Sequence, residues 1–471
     1  MQEVELVEAR PHAVPDDDDE SRRDAVQESK APQMVLLGVG VCLFGAVLCI
    51  SPAKKSVRGV ACVFLVVWLW LTRCVGLAVA SLVPVVLFPL TGAAGARTVS
   101  SVYLSDPMML LLGSLLCAGA VERHGLHTRL ARFFVRSQDP IAGIVVATFL
   151  LSMWISNTAT ASMMAPLASS VATTPDLERS AGLAVAFASS LGGLTTLTGT
   201  GPNVVLAGVS GISFAEWLLI ATPVSAPLAV AVWRGLKVPR ATVRLEAAKP
   251  WTRHERVVVV VLALMSLLWL TRQSRFGLSG WAALLPEPTY VTDGTVAMAA
   301  AIVLFVSGAL PWSAVNDLGW DVFFLVSGGM ALAVGARESG LDSVVASLLA
   351  PLPGNLGLAL TALAGVALSN VVSNAAAANI LLPLVACGNR PFALPPVAMS
   401  CSLAFLFPVS TPPNAIAMAH FPHLTPRHMA INGAKLTLLA LVLVFADATL
   451  LVPRILARHQ DTPLCGDDGG I

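Results

Sequence analysis

Two stretches far apart in the chain read alike: Leu151-Ser152-Met153-Trp154-Ile155-Ser156-Asn157-Thr158 and Leu368-Ser369-Asn370-Val371-Val372-Ser373-Asn374-Ala375. Each precedes a second signature, Thr200-Gly201-Pro202-Asn203 in the first case and Thr411-Pro412-Pro413-Asn414 in the other. Asn157 and Asn203 are 46 residues apart, Asn374 and Asn414 are 40 apart, so the matched pairs mark an internal repeat. The Ser-Asn pairs sit near the middle of apolar stretches at about 140–172 and 357–387. Each stretch is wrong for a single crossing and reads as a hairpin that enters and leaves a membrane on one side. Backbone broken at that depth is tolerated only where protein or a water-filled cavity surrounds it. Proline at 202, 412 and 413 removes backbone donors, and glycine at 199 and 201 permits unusual backbone angles. Each T-x-P-N therefore interrupts a helix, at about 183–209 and 395–419.

The rest of the chain fits a membrane frame. Of its 471 residues 56% are apolar and only 12% charged, where soluble domains carry about a quarter charged residues. Mean hydropathy is +0.77. Residues 1–30 hold ten acidic and four basic side chains, so the net charge of +1 combines an acidic tail with a basic body. This composition excludes water-soluble enzymes, nucleic-acid binders and disulfide-stapled secreted domains. Cys42, Cys49, Cys62, Cys117 and Cys401 lie in apolar runs, and none of the eight cysteines forms a C-x-x-C pair. Residues 1–32 are expected to be a disordered acidic tail.

Apolar runs of about 17–25 residues are long enough to span a bilayer. They fall near 34–51, 58–72, 75–91, 107–121, 183–209, 214–234, 257–271, 295–311, 321–336, 395–419 and 431–453. The fold expected is an all-α polytopic membrane protein of eleven transmembrane helices with two opposed re-entrant hairpins in an inverted repeat. The first half covers 33–256, the second 257–455, and 456–471 form a C-terminal tail. Arg123, Arg129, Arg132 and Arg136 precede the first hairpin, while Arg234, Lys237, Arg240, Arg244, Lys249, Arg253 and Arg256 fill the longest internal loop. Both are expected to be cytoplasmic, which puts the N-terminus inside. Lys54, Lys55 and Arg58 then fall outside, against that rule.

Paired interruptions in matching halves point to a transporter site near the midplane. Free carbonyls at the breaks suit a small hard cation such as Na⁺, free N–H groups at helix starts suit an anion, and Ser, Thr and Asn side chains serve both. No Arg, Lys or His lies within the four signatures. A bound anion is then neutralised by helix termini and co-bound cations, which couples the two. Other readings stay open. Asp447, in the last span, is a candidate proton carrier. Gly277-Leu278-Ser279-Gly280 has the shape of an intramembrane protease string but lies in a polar connector. Re-entrant hairpins also build pores, so an anion channel is the rival from another class.

At these signatures the sequence resembles the divalent-anion:sodium symporter family, in particular the eukaryotic sodium/di- and tricarboxylate carriers. Residues 151–160 are similar to the family's first hairpin tip, 196–203 to its first broken helix and 407–416 to its second; Leu77–Pro89 and Val121–Arg129 also match. The resemblance implies a homodimer in a lipid bilayer, normally the plasma membrane. It also implies scaffold and transport domains that move as an elevator, with Na⁺ coupled to uptake of a di- or tricarboxylate of the succinate, malate and citrate class. By the same resemblance Ser152, Ser156, Asn157 and Gly199 hold one Na⁺, and Ser369, Val372, Ser373, Asn374 and Ser410 hold another. The substrate carboxylates meet Asn157, Thr158, Thr200, Asn374, Thr411 and Pro412. There are departures: Ala375-Ala376-Ala377-Ala378 stands where the family offers threonines, Asn370 where an acid is frequent, and Arg73 near another acidic position. A sodium-independent carboxylate exchanger and a sulfate carrier are the nearest alternatives.

Overall fold

The computed structural model describes residues 17–126, 129, 133–134, 139–236, 250–273, 279–341, 354–387 and 391–457. The start of the acidic tail (1–16), Arg132 and Arg136, the loop 237–249 with four of its basic residues, Gly277 and Leu278, and 458–471 lie outside the described residues. Among the described residues there is no strand.

Five helices precede the first hairpin: α1 (Asp17–Ile50), α2 (Lys55–Thr72), α3 (Leu77–Thr91), α4 (Ala96–Ser101) and α5 (Asp106–Arg123). The hairpin itself is α6 (Pro140–Ser152) and α7 (Asn157–Val171). The first interrupted span follows as α8 (Pro175–Thr195) and α9 (Gly201–Ser210). Next come α10 (Phe214–Gly235), α11 (Arg253–Thr271), α12 (Asp293–Val306) and α13 (Trp320–Glu338). The second hairpin is α14 (Gly354–Ser369) and α15 (Asn374–Cys387), and the second interrupted span is α16 (Leu394–Ser400) and α17 (Pro412–His420). The chain closes with α18 (Pro426–Leu450) and α19 (Val452–Ile455).

Every apolar run thus became a helix or a pair of half-helices. Among the described residues seven helical segments are long and apolar enough to cross a membrane. The others are shorter for visible reasons: α3 holds Pro84 and Pro89, and the two interrupted spans are each cut in two. α1 runs from Asp17, fifteen residues before its apolar span Pro32–Ile50. Helix starts elsewhere are written in the sequence. Ser213 with Glu216, Thr252 with Glu255 and Thr425 with His428 form capping boxes on α10, α11 and α18.

Polar contacts gather at the two ends of the bundle. At one end Arg129 Nε donates to Glu255 Oε1 at 2.8 Å, the His124 ring meets the Ala309 carbonyl at 2.7 Å, and the Trp233 indole N–H donates to Asp139 at 2.8 Å. Asp139 caps α6 and Trp233 lies in the last turn of α10, so the first hairpin begins at this basic end. It also returns there. α8 lies antiparallel to α10, with Trp217 Nε1 donating to the Leu194 carbonyl and Thr195 Oγ1 to Ser225 Oγ, which places the start of α8, just after α7, at the same end.

The second hairpin closes at the other end. α13 starts eleven residues after Ala309 and ends at Glu338, 4.0 Å from Lys55 at the start of α2. α15 runs alongside it in the same direction: Asn379 Nδ2 donates to the Leu325 carbonyl at 2.7 Å, and Pro383 and Leu384 share a cleft with Ala336 and Leu341. Small residues let these helices touch, as in membrane bundles generally: a Cβ on Gly328 would lie 2.5 Å from Ser81 Cβ on α3. The halves interlock. α9 of the first half packs on α15 of the second, and α17 of the second packs on α7 and α8 of the first.

Candidate functional site

The two halves build the same local architecture. Ser156 Oγ accepts the Ala159 N–H at 3.2 Å and Ser373 Oγ accepts the Ala376 N–H at 3.2 Å. Both serines therefore cap the returning arm of a hairpin, and Asn157 and Asn374 become its first helical residues. The first backbone N–H groups of α7 and α15 are left without intrahelical partners. At the breaks the chain leaves helical geometry. Thr200 (φ −150°, ψ 152°) and Thr411 (φ −145°, ψ 147°) are extended residues just before α9 and α17, and neither uses its side chain as a cap.

Asn203 and Asn414 hold the breaks closed. Asn203 Nδ2 donates to the carbonyls of Gly193 (3.1 Å), Leu194 (3.1 Å) and Thr196 (2.7 Å). Asn414 Nδ2 donates to Ala404 (3.0 Å) and Phe407 (2.9 Å). The offsets of ten and seven residues are the same in both halves, and both side chains are fully buried. The asparagine of T-x-P-N is therefore a strap across the gap. Sequence reading quoted it within the motif without giving it that task; the equal offsets to carbonyl positions were the available signal.

Around the first break Ser152 Oγ lies 2.8 Å from Asn157 Oδ1 and 2.6 Å from the Ser189 carbonyl. Asn157 Oδ1 rests on Gly193, which leaves no room for a Cβ there, and a Cβ on Gly199 would lie 2.5 Å from the Gly193 carbonyl. Ser152, Asn157 and Gly199 are thus brought together with Gly193, a residue the sequence reading missed. Thr196, also missed, ties the hairpin tip to the break by donating to the Met153 carbonyl at 2.6 Å. Ser156 is not part of this cluster through its side chain, which is exposed and occupied by capping. Gly193→Ala is expected to push the Asn157 amide aside and to lower uptake roughly tenfold or more, the equivalent of about 1.4 kcal/mol. Transport by the purified variant in vesicles checks it.

Around the second break the corresponding contacts run through Asn370. Its Oδ1 accepts from Ser410 Oγ (3.1 Å) and from the Leu406 N–H (3.2 Å), and its Nδ2 donates to the Val366 carbonyl (2.8 Å). Ser369, buried beside it, donates to the same Val366 carbonyl at 3.1 Å. Asn374 Oδ1 is buried and has no partner. A Cβ on Gly201, the first residue of α9, would lie 2.6 Å from Ala375 Cβ. The first half's broken helix therefore starts against the second half's hairpin tip. Among the described residues no cluster of three His, Cys, Asp or Glu side chains could hold a metal. What a cation meets here is hydroxyl, amide and carbonyl oxygen, the donor set of a hard ion.

The family model described as Citrate transporter (CitMHS) matches residues 64–387. The chain belongs to this citrate transporter family. Two bacterial proteins called sodium-dependent dicarboxylate transporter SdcS are similar to it over nearly their whole length. The one from Staphylococcus saprophyticus is 31% identical over 92% of this chain and 94% of its own, and the one from Staphylococcus aureus is 30% identical over the same shares. Among solved structures, the YdaH transporter of Alcanivorax borkumensis, described as having an unusual topology, aligns with a TM-score of 0.51. It covers 78% of this chain and 88% of that one at 17% identity, a likeness of fold.

Ser279 is exposed and Gly280 is buried against the Arg272 carbonyl, just before a 3₁₀ turn at Trp281–Leu284. Asp447 is buried with Oδ1 unpartnered. It lies fourteen residues beyond Gly433, where α18 touches the Phe405 carbonyl of the second break. That is about 21 Å along the helix at 1.5 Å per residue, so Asp447 is not part of either cluster.

Proposed function

We propose that this protein is a secondary-active carrier that couples Na⁺ entry to uptake of di- and tricarboxylates. The observation that carries the reading is the interlocked contact of Gly201 with Ala375. Through it the hairpin tip of one half and the helix break of the other share one place, and the packing of α17 on α7 repeats the arrangement. On this reading the N-termini of α7, α9, α15 and α17 face the substrate together, and the Gly201–Ala375 contact brings the starts of α9 and α15 against each other. Each N-terminus is equivalent to roughly half a positive charge, about two in all, which suits a dianion without any basic side chain. Na⁺ at the oxygen clusters supplies the rest of the neutralisation, so that substrate and cation bind best together. The names of the similar staphylococcal proteins support both the ion and the substrate class.

The proposed sites are those the resemblance implies. Ser152, Ser156, Asn157 and Gly199, Ser156 not through its hydroxyl, which caps α7, take one cation; Ser369, Val372, Ser373, Asn374 and Ser410 take the other. Asn157, Thr158, Thr200, Asn374, Thr411 and Pro412 face the substrate. The further proposal is of eleven crossings with the basic end and N-terminus in the cytoplasm, a homodimer in the plasma membrane, and an elevator movement of an inverted-repeat transport domain. The test is uptake of labelled succinate into proteoliposomes. Replacing external Na⁺ by choline is expected to abolish it, and unlabelled citrate is expected to compete better than sulfate. Uptake that is indifferent to choline overturns sodium coupling, and stronger competition by sulfate overturns the substrate class.

A further inference from the structure

Resting on that reading, we propose that Trp154 is a positioning residue for the first cation site, held by a three-ring stack that fastens the hairpin tip to the bundle. Only Met153–Ser156 separate the two arms of the first hairpin, so the relative placement of Ser152 and Asn157 depends on how this turn is seated. One side of the turn is fixed by Thr196 donating to the Met153 carbonyl at 2.6 Å. The other side is the indole of Trp154. Its ring is 6.4 Å from that of Trp269 with 5° between planes, and 6.3 Å from Phe214 at 26°. Phe214 and Trp269 stack on each other at 4.3 Å, and both contacts of Trp154 fall in the range of attractive aromatic pairs.

The platform under Trp154 is itself rigid. Asp293 at the start of α12 accepts the Phe214 N–H at 2.6 Å and Arg272 Nε at 2.7 Å, and its carbonyl accepts the Trp269 indole N–H at 2.9 Å. Phe214 and Trp269 are 2% exposed, and the Arg272 and Asp293 side chains 11% and 7%. Three helices therefore meet beneath the hairpin tip: the starts of α10 and α12, and the end of α11 with the residue just after it. Trp154 lies at the tip and against these helix ends. Its stack acts on the ion through Ser152 and Asn157, two residues before and three after it.

The experiment reads the Na⁺ concentration for half-maximal uptake, together with Na⁺-dependent thermal stabilisation in detergent, which needs no transport. Trp154→Ala is expected to raise both Na⁺ midpoints on the order of fivefold, the worth of a pair of aromatic contacts, with substrate affinity at saturating Na⁺ little changed. Trp154→Phe is expected to restore most of the shift. Trp269→Ala, on a different helix, is expected to give the same shift, and the double variant no more than either single one. If Trp154→Ala is not recovered as monodisperse protein, Trp154→Leu, which keeps bulk and removes the ring, carries the same expectation. Wild-type midpoints in the alanine or leucine variant, or additive shifts in the double variant, overturn the proposal. Wild-type protein with no Na⁺ response overturns the sodium reading instead.

Discussion

Asn157→Ala and Asn374→Ala are each expected to lower uptake at least 100-fold, with thermal stability little changed. The physical grounds differ at the two positions and converge on that result. Asn157 Oδ1 accepts one proton, from Ser152, and a single hydrogen bond contributes about 1 kcal/mol net. Ser152 keeps the Ser189 carbonyl after the truncation, so no buried donor is orphaned. Asn374 Oδ1 is already orphaned. A buried acceptor without a partner costs roughly 1–3 kcal/mol, so removing it is expected to be neutral for stability or slightly favourable. Such a group in a native structure calls for an explanation, and a bound cation or substrate hydroxyl supplies one. Near the tips no basic side chain stands in for the lost amides, which is why the effect on uptake is large. Succinate uptake and melting temperature measured on the same preparations decide it. Full uptake in both variants, or an Asn374→Ala protein destabilised by about 2 kcal/mol or more, overturns the site assignment.

Much of this architecture was legible in the residues because each break is made by chain chemistry. Proline at 202, 412 and 413 acts within a few residues of itself, so its consequences could be read locally. The Trp154 stack could not. It joins residues at 154, 214 and 269, and their meeting depends on how far the first hairpin reaches along α10. The strap role of Asn203 was half visible. The repeated T-x-P-N spacing showed that it mattered, while its partners at 193, 194 and 196 are set by the shape of the gap. The exposed capping position of Ser156 was also out of reach, since a Ser-Asn pair reads as two ligands until the helix start is located.

Asn203→Ala and Asn414→Ala should destabilise the fold by similar amounts, about 2 kcal/mol each, and disable uptake as a consequence. Counting bonds alone predicts a larger loss at Asn203, which makes three to Asn414's two. The remaining partners change the answer. The Leu194 carbonyl keeps the Trp217 indole N–H, and the Thr196 carbonyl keeps the Gly199 N–H. The Phe407 carbonyl keeps both the N–H and the hydroxyl of Ser410. Only the Gly193 carbonyl in one half and the Ala404 carbonyl in the other lose the strap without such a substitute. One stranded buried carbonyl costs roughly 1–3 kcal/mol, hence the equal expectation. Aspartate at either position is expected to be worse than alanine, since it replaces the donor by a carboxylate facing carbonyl oxygens in a buried place. Denaturation of the detergent-solubilised variants measures this, with uptake scored alongside. A loss below about 0.5 kcal/mol in both alanine variants would mean that the breaks are held open by their prolines alone, and the strap would then have no role in keeping the two helix starts in place.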